Sequence, residues 1–273
     1  MDVSEEPDAS MNIVVCVKYV PDATADRGFD SGDRTVDRSN VPGLLSELDE
    51  YAIEAALQLA DAGDAEVTVL TVGPSDAADA VKKSLQMGAH KGVHVLDDAI
   101  HGSDAIGTSL VLAKAIEKIG AAAPVDLVVC GMASTDGSMS VVPAMIAERL
   151  SLPQVTFASA LEVSADSVRG RRDGETATET VEASLPAVVS VTDQANEPRY
   201  PSFKAIMAAK KKPVETWSLR DIDVDSAAVG LAAAWTAVDS YEQRPPRQKG
   251  TVVTDEGEGG RALVAFLAEQ KFV

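Results

Sequence analysis

Aromatic residues, histidine, cysteine and positive charge are all scarce in this sequence, and each shortage removes a class of chemistry. Phe, Tyr and Trp make up 4% of 273 residues, so any core must rest on aliphatic side chains. The two cysteines, Cys16 and Cys130, lie in apolar strand-like runs without a Cys-x-x-Cys spacing. That pattern supports neither a disulfide framework nor a zinc site and fits a reducing compartment. His90 and His94 are four apart, but Gly92 and the strand that follows keep them off a common helical face, and His101 stands alone, so no metal pair is expected. Ser134, Ser138 and Ser140 have no histidine in any indicated relation to them, which leaves no nucleophile–base pair and no self-contained active site. Neither Gly-x-Gly-x-x-Gly after the first strand nor Gly-x4-Gly-Lys-Ser/Thr occurs, so both standard phosphate cradles are missing. No apolar run reaches the roughly 18 residues of a membrane span. The acidic start is unlike a signal peptide, so a cytoplasmic location is expected.

Lys+Arg number 24 against 43 Asp+Glu, a formal charge of −19, which argues against nucleic acid and anionic membrane as partners. The acids are spread along the whole chain, as on a halophile's surface in molar salt, where screening makes crowded carboxylates tolerable. An acidic face for a basic partner is the other reading. Unfolding below about 1 M KCl would favour the first and full stability in dilute buffer would sink it.

What is present is a regular alternation of strand and helix. Hydrophobic residues make up 45%, enough for one large core or two modest ones. Residues 1–11 read as a disordered leader, with Met11 an alternative start. Ile13, Val14, Val15, Cys16 and Val17 form a continuous apolar strand of the kind buried on both faces of a parallel sheet. The polar stretch 23–40 carries little core and holds a hairpin turning at Ser31-Gly32-Asp33. Ser46 reads as the cap of a first helix whose acidic first turn, Glu47, Asp49 and Glu50, serves its positive end. Strands at 66–72, 93–96 and 127–130 alternate with helices at 76–87 and 103–119, and Gly88 stands at a helix stop. The alternation predicts an α/β fold, a Rossmann-like open parallel sheet with helices on both faces. Past Pro153 strands are predicted at 157–163, 167–171, 178–184 and 187–191, with an Asp173-Gly174 turn; they extend the sheet and build an antiparallel β-rich arm. The α/β domain is expected over 12–218. Residues 219–273 read as a linker and a last helix, 261–270, docking on a partner.

Two stretches carry functional signal. The first, Gly131-Met132-Ala133-Ser134-Thr135-Asp136-Gly137-Ser138-Met139-Ser140-Val141-Val142, leaves the fourth strand and enters a helix, where an open parallel sheet places ligands. Its small residues permit backbone approach, and the helix start offers free amides to an anion. The second is 185–212. Leu185-Pro186-Ala187-Val188-Val189 is a buried strand, Asn196-Glu197-Pro198-Arg199-Tyr200 breaks it, and Ser202 caps a short helix. Phe203, Ile206 and Met207 share one face of that helix, and Lys210, Lys211 and Lys212 offset its dipole. Taken alone, the helix reads as an ordinary amphipathic core element.

The full string of the second stretch resembles the electron transfer flavoprotein beta (β) subunits, supported by Asp49-Glu50-Tyr51-Ala52-Ile53-Glu54-Ala55-Ala56 and by Met87-Gly88-Ala89. The resemblance covers nearly the whole chain from Asn12 and implies an adenine nucleotide alpha-hydrolase-like fold. It implies a heterodimer with an alpha (α) subunit that holds most of the FAD and passes electrons from dehydrogenases, such as acyl-CoA dehydrogenases, to a membrane quinone oxidoreductase. It further implies a structural AMP, or a second FAD in bifurcating members, held by Cys16, Ser46, Glu47, Leu48, Asp49, Val72 and residues 131–142. Glu197, Pro198, Arg199, Tyr200, Phe203, Ile206 and Met207 would meet the dehydrogenase, with Phe203 the apolar anchor where the family has leucine. Ser46 replaces a common asparagine, and Ser138, Met139, Ser140 and Val141 replace a stretch that more often holds aspartate, threonine and glutamine; these changes bear on AMP against FAD. A stand-alone nucleotide sensor of the universal-stress type is the rival, but it requires further glycines after Gly131 and Gly137, and the next is Gly170.

Overall fold

Ile13, Val14 and Val15 are all fully buried, as a strand covered on both faces must be, and the rest of the first unit is arranged around them. The computed structural model describes residues 10–38, 40–242, 244–246, 250 and 252–273; the leader expected over 1–11 lies outside these as far as residue 9. Met11 is already in strand, its N–H donating to the Asp64 carbonyl, so order begins one residue earlier than expected. In chain order the elements are β1 (Met11–Cys16), β2 (Tyr19–Pro21), β3 (Gly43–Leu45), α1 (Glu47–Ala62), β4 (Ala65–Val72), α2 (Ala78–Met87), β5 (Lys91–Val95), α3 (Ala105–Ala122) and β6 (Leu127–Gly131). They continue as α4 (Val142–Leu150), β7 (Gln154–Ala158), β8 (Ala160–Val163), β9 (Ser167–Asp173), β10 (Thr178–Ser184), β11 (Ala187–Val191), α5 (Phe203–Ala209), β12 (Val214–Trp217) and α6 (Gly259–Glu269).

Seven strands in the order β12-β5-β4-β1-β6-β11-β7, every neighbouring pair parallel, make the main sheet. Because successive side chains point to opposite faces, Ile13, Val15, Val67, Val69 and Val129 pack with Ile53, Ala56, Val81 and Leu85 of α1 and α2. Val14, Cys16, Leu70, Val128 and Cys130 pack on the other face with Val111, Leu112 and Ile146 of α3 and α4. Burying each such Val, Leu or Ile contributes about 1.5–3 kcal/mol. The predicted α/β class with helices on both faces is therefore the fold observed.

The β-rich part divides as expected into sheet and arm, with one shift. The strand expected over 157–163 breaks at Ser159: β7 ends in the main sheet, while β8 pairs antiparallel with β9 in a separate sheet ordered β10-β9-β8. Phe157 takes φ 59 where the chain turns away. The arm seats closely because residue 170 is glycine, where a Cβ would stand 2.4 Å from Val155 Cγ1. Edge strand β12 was not foreseen, being four residues of mixed polarity behind Pro213.

The boundary expected at 218 is also displaced. The first compact unit continues to Ala237, and Leu219, Ile222, Val224 and Val229 are buried with Trp217. Ile222 lies in the 3-10 turn Arg220–Ile222, Leu219 just before it, Val224 between it and the turn Ser226–Ala228, and Val229 just after the latter, so their spacing carries no helical or strand period. The second unit, Val238–Val273, contains α6, whose Leu263, Val264 and Phe266 are exposed.

Candidate functional site

From β1 the chain goes first to β4 and β5 on one side of the sheet, and later to β6, β7 and β11 on the other. The order therefore reverses between β1 and β6, and open parallel sheets bind ligands outside the carboxyl ends of the strands at such a reversal. Cys16 and Cys130 are direct register partners there, both buried, with Gly131 next.

Asp49 ties the two strand ends together. Its Oδ2 accepts the Lys18 N–H at 2.8 Å, and it also accepts a backbone hydrogen bond from Gly131. Burial raises its pKa to about 7 against these hydrogen bonds and the Lys18 charge. Asp49 thus does more than serve a helix dipole as an exposed first-turn acid would. Gly131 is required here: a Cβ would stand 2.5 Å from Asp49 Oδ1 and 2.8 Å from the Leu48 carbonyl oxygen. Ser46 does not cap α1 with its side chain. It is fully buried, and its Oγ has no hydrogen-bond partner among the described residues.

The loop between β6 and α4 is held through Asp136, whose side chain is only 2% exposed. Lys18 Nζ reaches its Oδ1 at 2.8 Å and Arg38 Nη2 its Oδ2 at 2.5 Å, and Oδ1 also accepts the Gly137 N–H at 2.7 Å. Burial alone would raise the Asp136 pKa; the Lys18 charge, with hydrogen bonds from Lys18, Arg38 and Ser134, overrides it and holds the carboxyl well below the usual range. Arg27 Nη1 donates to the Thr135 carbonyl at 2.8 Å. Ser138 and Ser140 both take left-handed φ, 53 and 58, so the loop is bent twice before α4. No side chain caps α4, and Pro143 occupies its first turn.

Of the predicted nucleotide residues, Cys16, Ser46, Leu48, Asp49 and Gly131 are thus brought together, with Met132, Ala133, Ser134, Thr135, Asp136, Gly137, Ser138, Met139, Ser140, Val141 and Val142 running from them to the helix. Val72 stands at the same sheet end on β4, and Glu47 is exposed. Sequence reasoning missed Lys18, Arg27 and Arg38. Their only signal was three cations in or beside a stretch otherwise poor in core residues. An adenine nucleotide fits what is present: an orphaned buried hydroxyl at Ser46 and an uncapped helix start beside it at the strand ends. A separate cavity of about 540 Å³ lies between the arm and the ends of β7 and β11 and shares Met132 with this loop.

The second predicted stretch departs from the core-helix reading. Phe203 is 80% exposed, Tyr200 93% and Met207 46%, while Ile206 is half-buried and Ala209 faces inward. The apolar face of α5 points outward. Ser202 caps it as expected, its Oγ accepting the Ala205 N–H. Beneath it the seat is rigid: Arg199 forks onto Glu54 at 2.7 and 2.9 Å and reaches Asp61 at 2.8 Å, and Asn196 donates to the Tyr51 carbonyl. Glu197 is exposed and Pro198 half-buried beside them. Lys212 does not serve α5. Its Nζ donates to the carbonyls of Leu85, Gly88 and Ala89 at the end of α2, and burial pulls its pKa down.

The histidines serve local contacts: His90 Nδ1 accepts the Val67 N–H, His94 meets the Gly73 carbonyl, and His101 meets Asp33. Among the described residues no cluster of metal ligands occurs and no helix is long and apolar enough to cross a membrane.

Comparison with known proteins bears on this arrangement directly. The family model described as the electron transfer flavoprotein domain matches residues 33–222. The chain is 46% identical over 267 residues to an electron transfer flavoprotein subunit beta of Mycobacterium bovis, covering 96% of this chain and 99% of that one. It is 34% identical over 264 residues to the protein of that name from Megasphaera elsdenii, covering 95% and 97%. It is 34% identical over 266 residues to a subunit of the caffeyl-CoA reductase-Etf complex of Acetobacterium woodii, covering 96% and 100%. By the family match and by identity over nearly their whole length, the chain belongs to the electron transfer flavoprotein family, as a beta subunit.

Proposed function

We propose that this chain works as the nucleotide-binding and donor-recognising half of a heterodimer. A flavin-bearing alpha subunit holds FAD, and AMP occupies the site at the ends of β1 and β6. In the cytoplasm of a halophile, the pair accepts electrons from dehydrogenases, such as acyl-CoA dehydrogenases, and delivers them to a membrane quinone oxidoreductase. The chain's own share is positional: it offers no active site of its own, shields the flavin and presents the docking helix. The observation that supports this reading best is the outward apolar face of α5 on its ion-paired seat. An anchor of the size of Phe203 ringed by polar groups is the arrangement that dominates binding when a partner covers it. The exposed apolar side chains of α6 support a role for the second unit in holding the alpha subunit.

The test is cofactor content. The chain is co-expressed with its candidate alpha subunit in high salt, and the purified complex is denatured and its nucleotides quantified by chromatography. One FAD and one AMP per heterodimer is the expected result. Two FAD without AMP would replace the simple carrier with a bifurcating form. A chain that forms no complex and carries ATP would overturn the reading in favour of a nucleotide sensor.

A further inference from the structure

We infer that residues 27–38 form a strap whose Arg38, together with Lys18, acts through Asp136 to position the nucleotide loop, so that the strap controls how long the nucleotide stays bound. The inference rests on the reading of that loop as the AMP site. Four observations carry it.

First, the strap is stiff in itself: Phe29 bridges Val36, the Asp30 N–H donates to the Thr35 carbonyl, and the Asp30 and Asp33 carboxylates accept turn amides at Gly32 and Thr35. Second, polar contacts fasten it to the rest of the unit. Arg27 reaches the Thr135 carbonyl, Arg38 reaches Asp136, and Asp33 meets His101 Nε2 at 2.7 Å on the far side. Third, Asp136 is a carboxylate with a 2% exposed side chain, and such a group stays charged in that position only while its cations remain. Fourth, the two left-handed serines stand two and four residues after it, so the bend that leads the loop into α4 is built on that anchor. Lys18 and Arg38 do not need to touch the nucleotide. They are positioning residues, one from just past the end of β1 and one from the strap, closing on the same buried carboxylate.

The test uses the full chain copurified with its flavin-bearing partner subunit and loaded with radiolabelled AMP. Release into excess unlabelled AMP is followed for wild type, Arg38→Met, Arg38→Lys, Asp136→Asn and the Arg38→Met/Asp136→Asn double variant. Arg38→Met is expected to release AMP at least about tenfold faster, the size of effect that follows loss of one charge-assisted hydrogen bond. Arg38→Lys should recover part of the loss, since it keeps the charge but not the fork. The double variant should be no faster than the faster single variant, because both changes remove the same contact. Amide hydrogen exchange over residues 132–141, measured on nucleotide-free protein, should rise in Arg38→Met. Wild-type release from Arg38→Met, or single effects that simply add, would overturn the inference. Should the wild-type complex hold no AMP, the reading of the site fails instead. The strap then stands on the exchange measurement alone, and unchanged protection in Arg38→Met would reject it.

Discussion

The two proposed functional regions of this subunit are built in opposite ways. At the end of β1 and β6, polar groups are buried and matched: Asp136 against Lys18 and Arg38, Asp49 against backbone amides. At α5 the apolar groups are outside, and the matched ion pair, Arg199 with Glu54, lies underneath as a support. A site that must fix one small ligand gains from pre-organised donors sheltered from water. A surface proposed to release its partner after each electron transfer gains from a small apolar anchor on a rigid base, because most of the affinity then lies in a few contacts. The difference is between holding and touching.

Four substitutions break or sharpen that contrast. The largest effect is expected at the support of the proposed docking helix. Arg199→Ala leaves Glu54, whose side chain is 6% exposed, without its cation. Breaking a buried pair from one side costs about 3–5 kcal/mol, and urea unfolding should report a loss toward the lower end of that range. A loss under about 1 kcal/mol, the size of a surface pair, would mean that the seat is not a buried tie.

Gly131→Ala attacks the other region. The added Cβ meets Asp49 and the Leu48 carbonyl below 3.0 Å, so the loop must shift. Overpacking of this kind costs about 1–3 kcal/mol. AMP content should fall while the dehydrogenase interaction is kept; an unchanged AMP stoichiometry would contradict the placement of the site.

Asp49→Asn tests the buried carboxyl by pH. The folded pKa of about 7 lies above the 3.8 of an unfolded aspartate, so between these values the folded protein binds the extra proton. The stability this group contributes therefore declines as pH rises through that window. Asparagine keeps an acceptor and has no such titration. The unfolding free energy of the variant relative to wild type should increase steadily from pH 4 to 7, and a flat difference would show that Asp49 is ionised throughout.

The smallest stability effect is expected where the largest functional one lies. Phe203→Ala removes an 80% exposed side chain and should alter stability by no more than about 0.5 kcal/mol. Reduction of the complex by the dehydrogenase should nonetheless slow at least about tenfold, with FAD retained, as for loss of a binding hot spot. Unchanged turnover would remove Phe203 from the docking role.

Much of this was legible in the sequence because it is local. The main-sheet strands β1, β4, β5 and β6, the Gly88 stop and the Ser202 cap each depend on a few consecutive residues. The candidate loop was found from its position after a buried strand and its small residues. What was misread shares a different cause. Ser46 looked like a cap by type, yet its environment turned the hydroxyl inward. Lys212 was assigned to its own helix, yet its ammonium reaches the end of α2, 127 residues back at Leu85. Residues 219–237 lacked a period because single 3-10 turns have none.

By itself the amino-acid order determined the alternating α/β elements, the breakers between them and the family likeness, since side-chain period, turn chemistry and motif strings are properties of neighbouring residues. The tertiary structure decided which cations meet Asp136 across 118 and 98 residues, that Asp49 is buried, and that α5 turns its apolar face outward. Those outcomes depend on which surfaces the fold brings together and from which it excludes water, and neither is recorded in the spacing of residues along the chain.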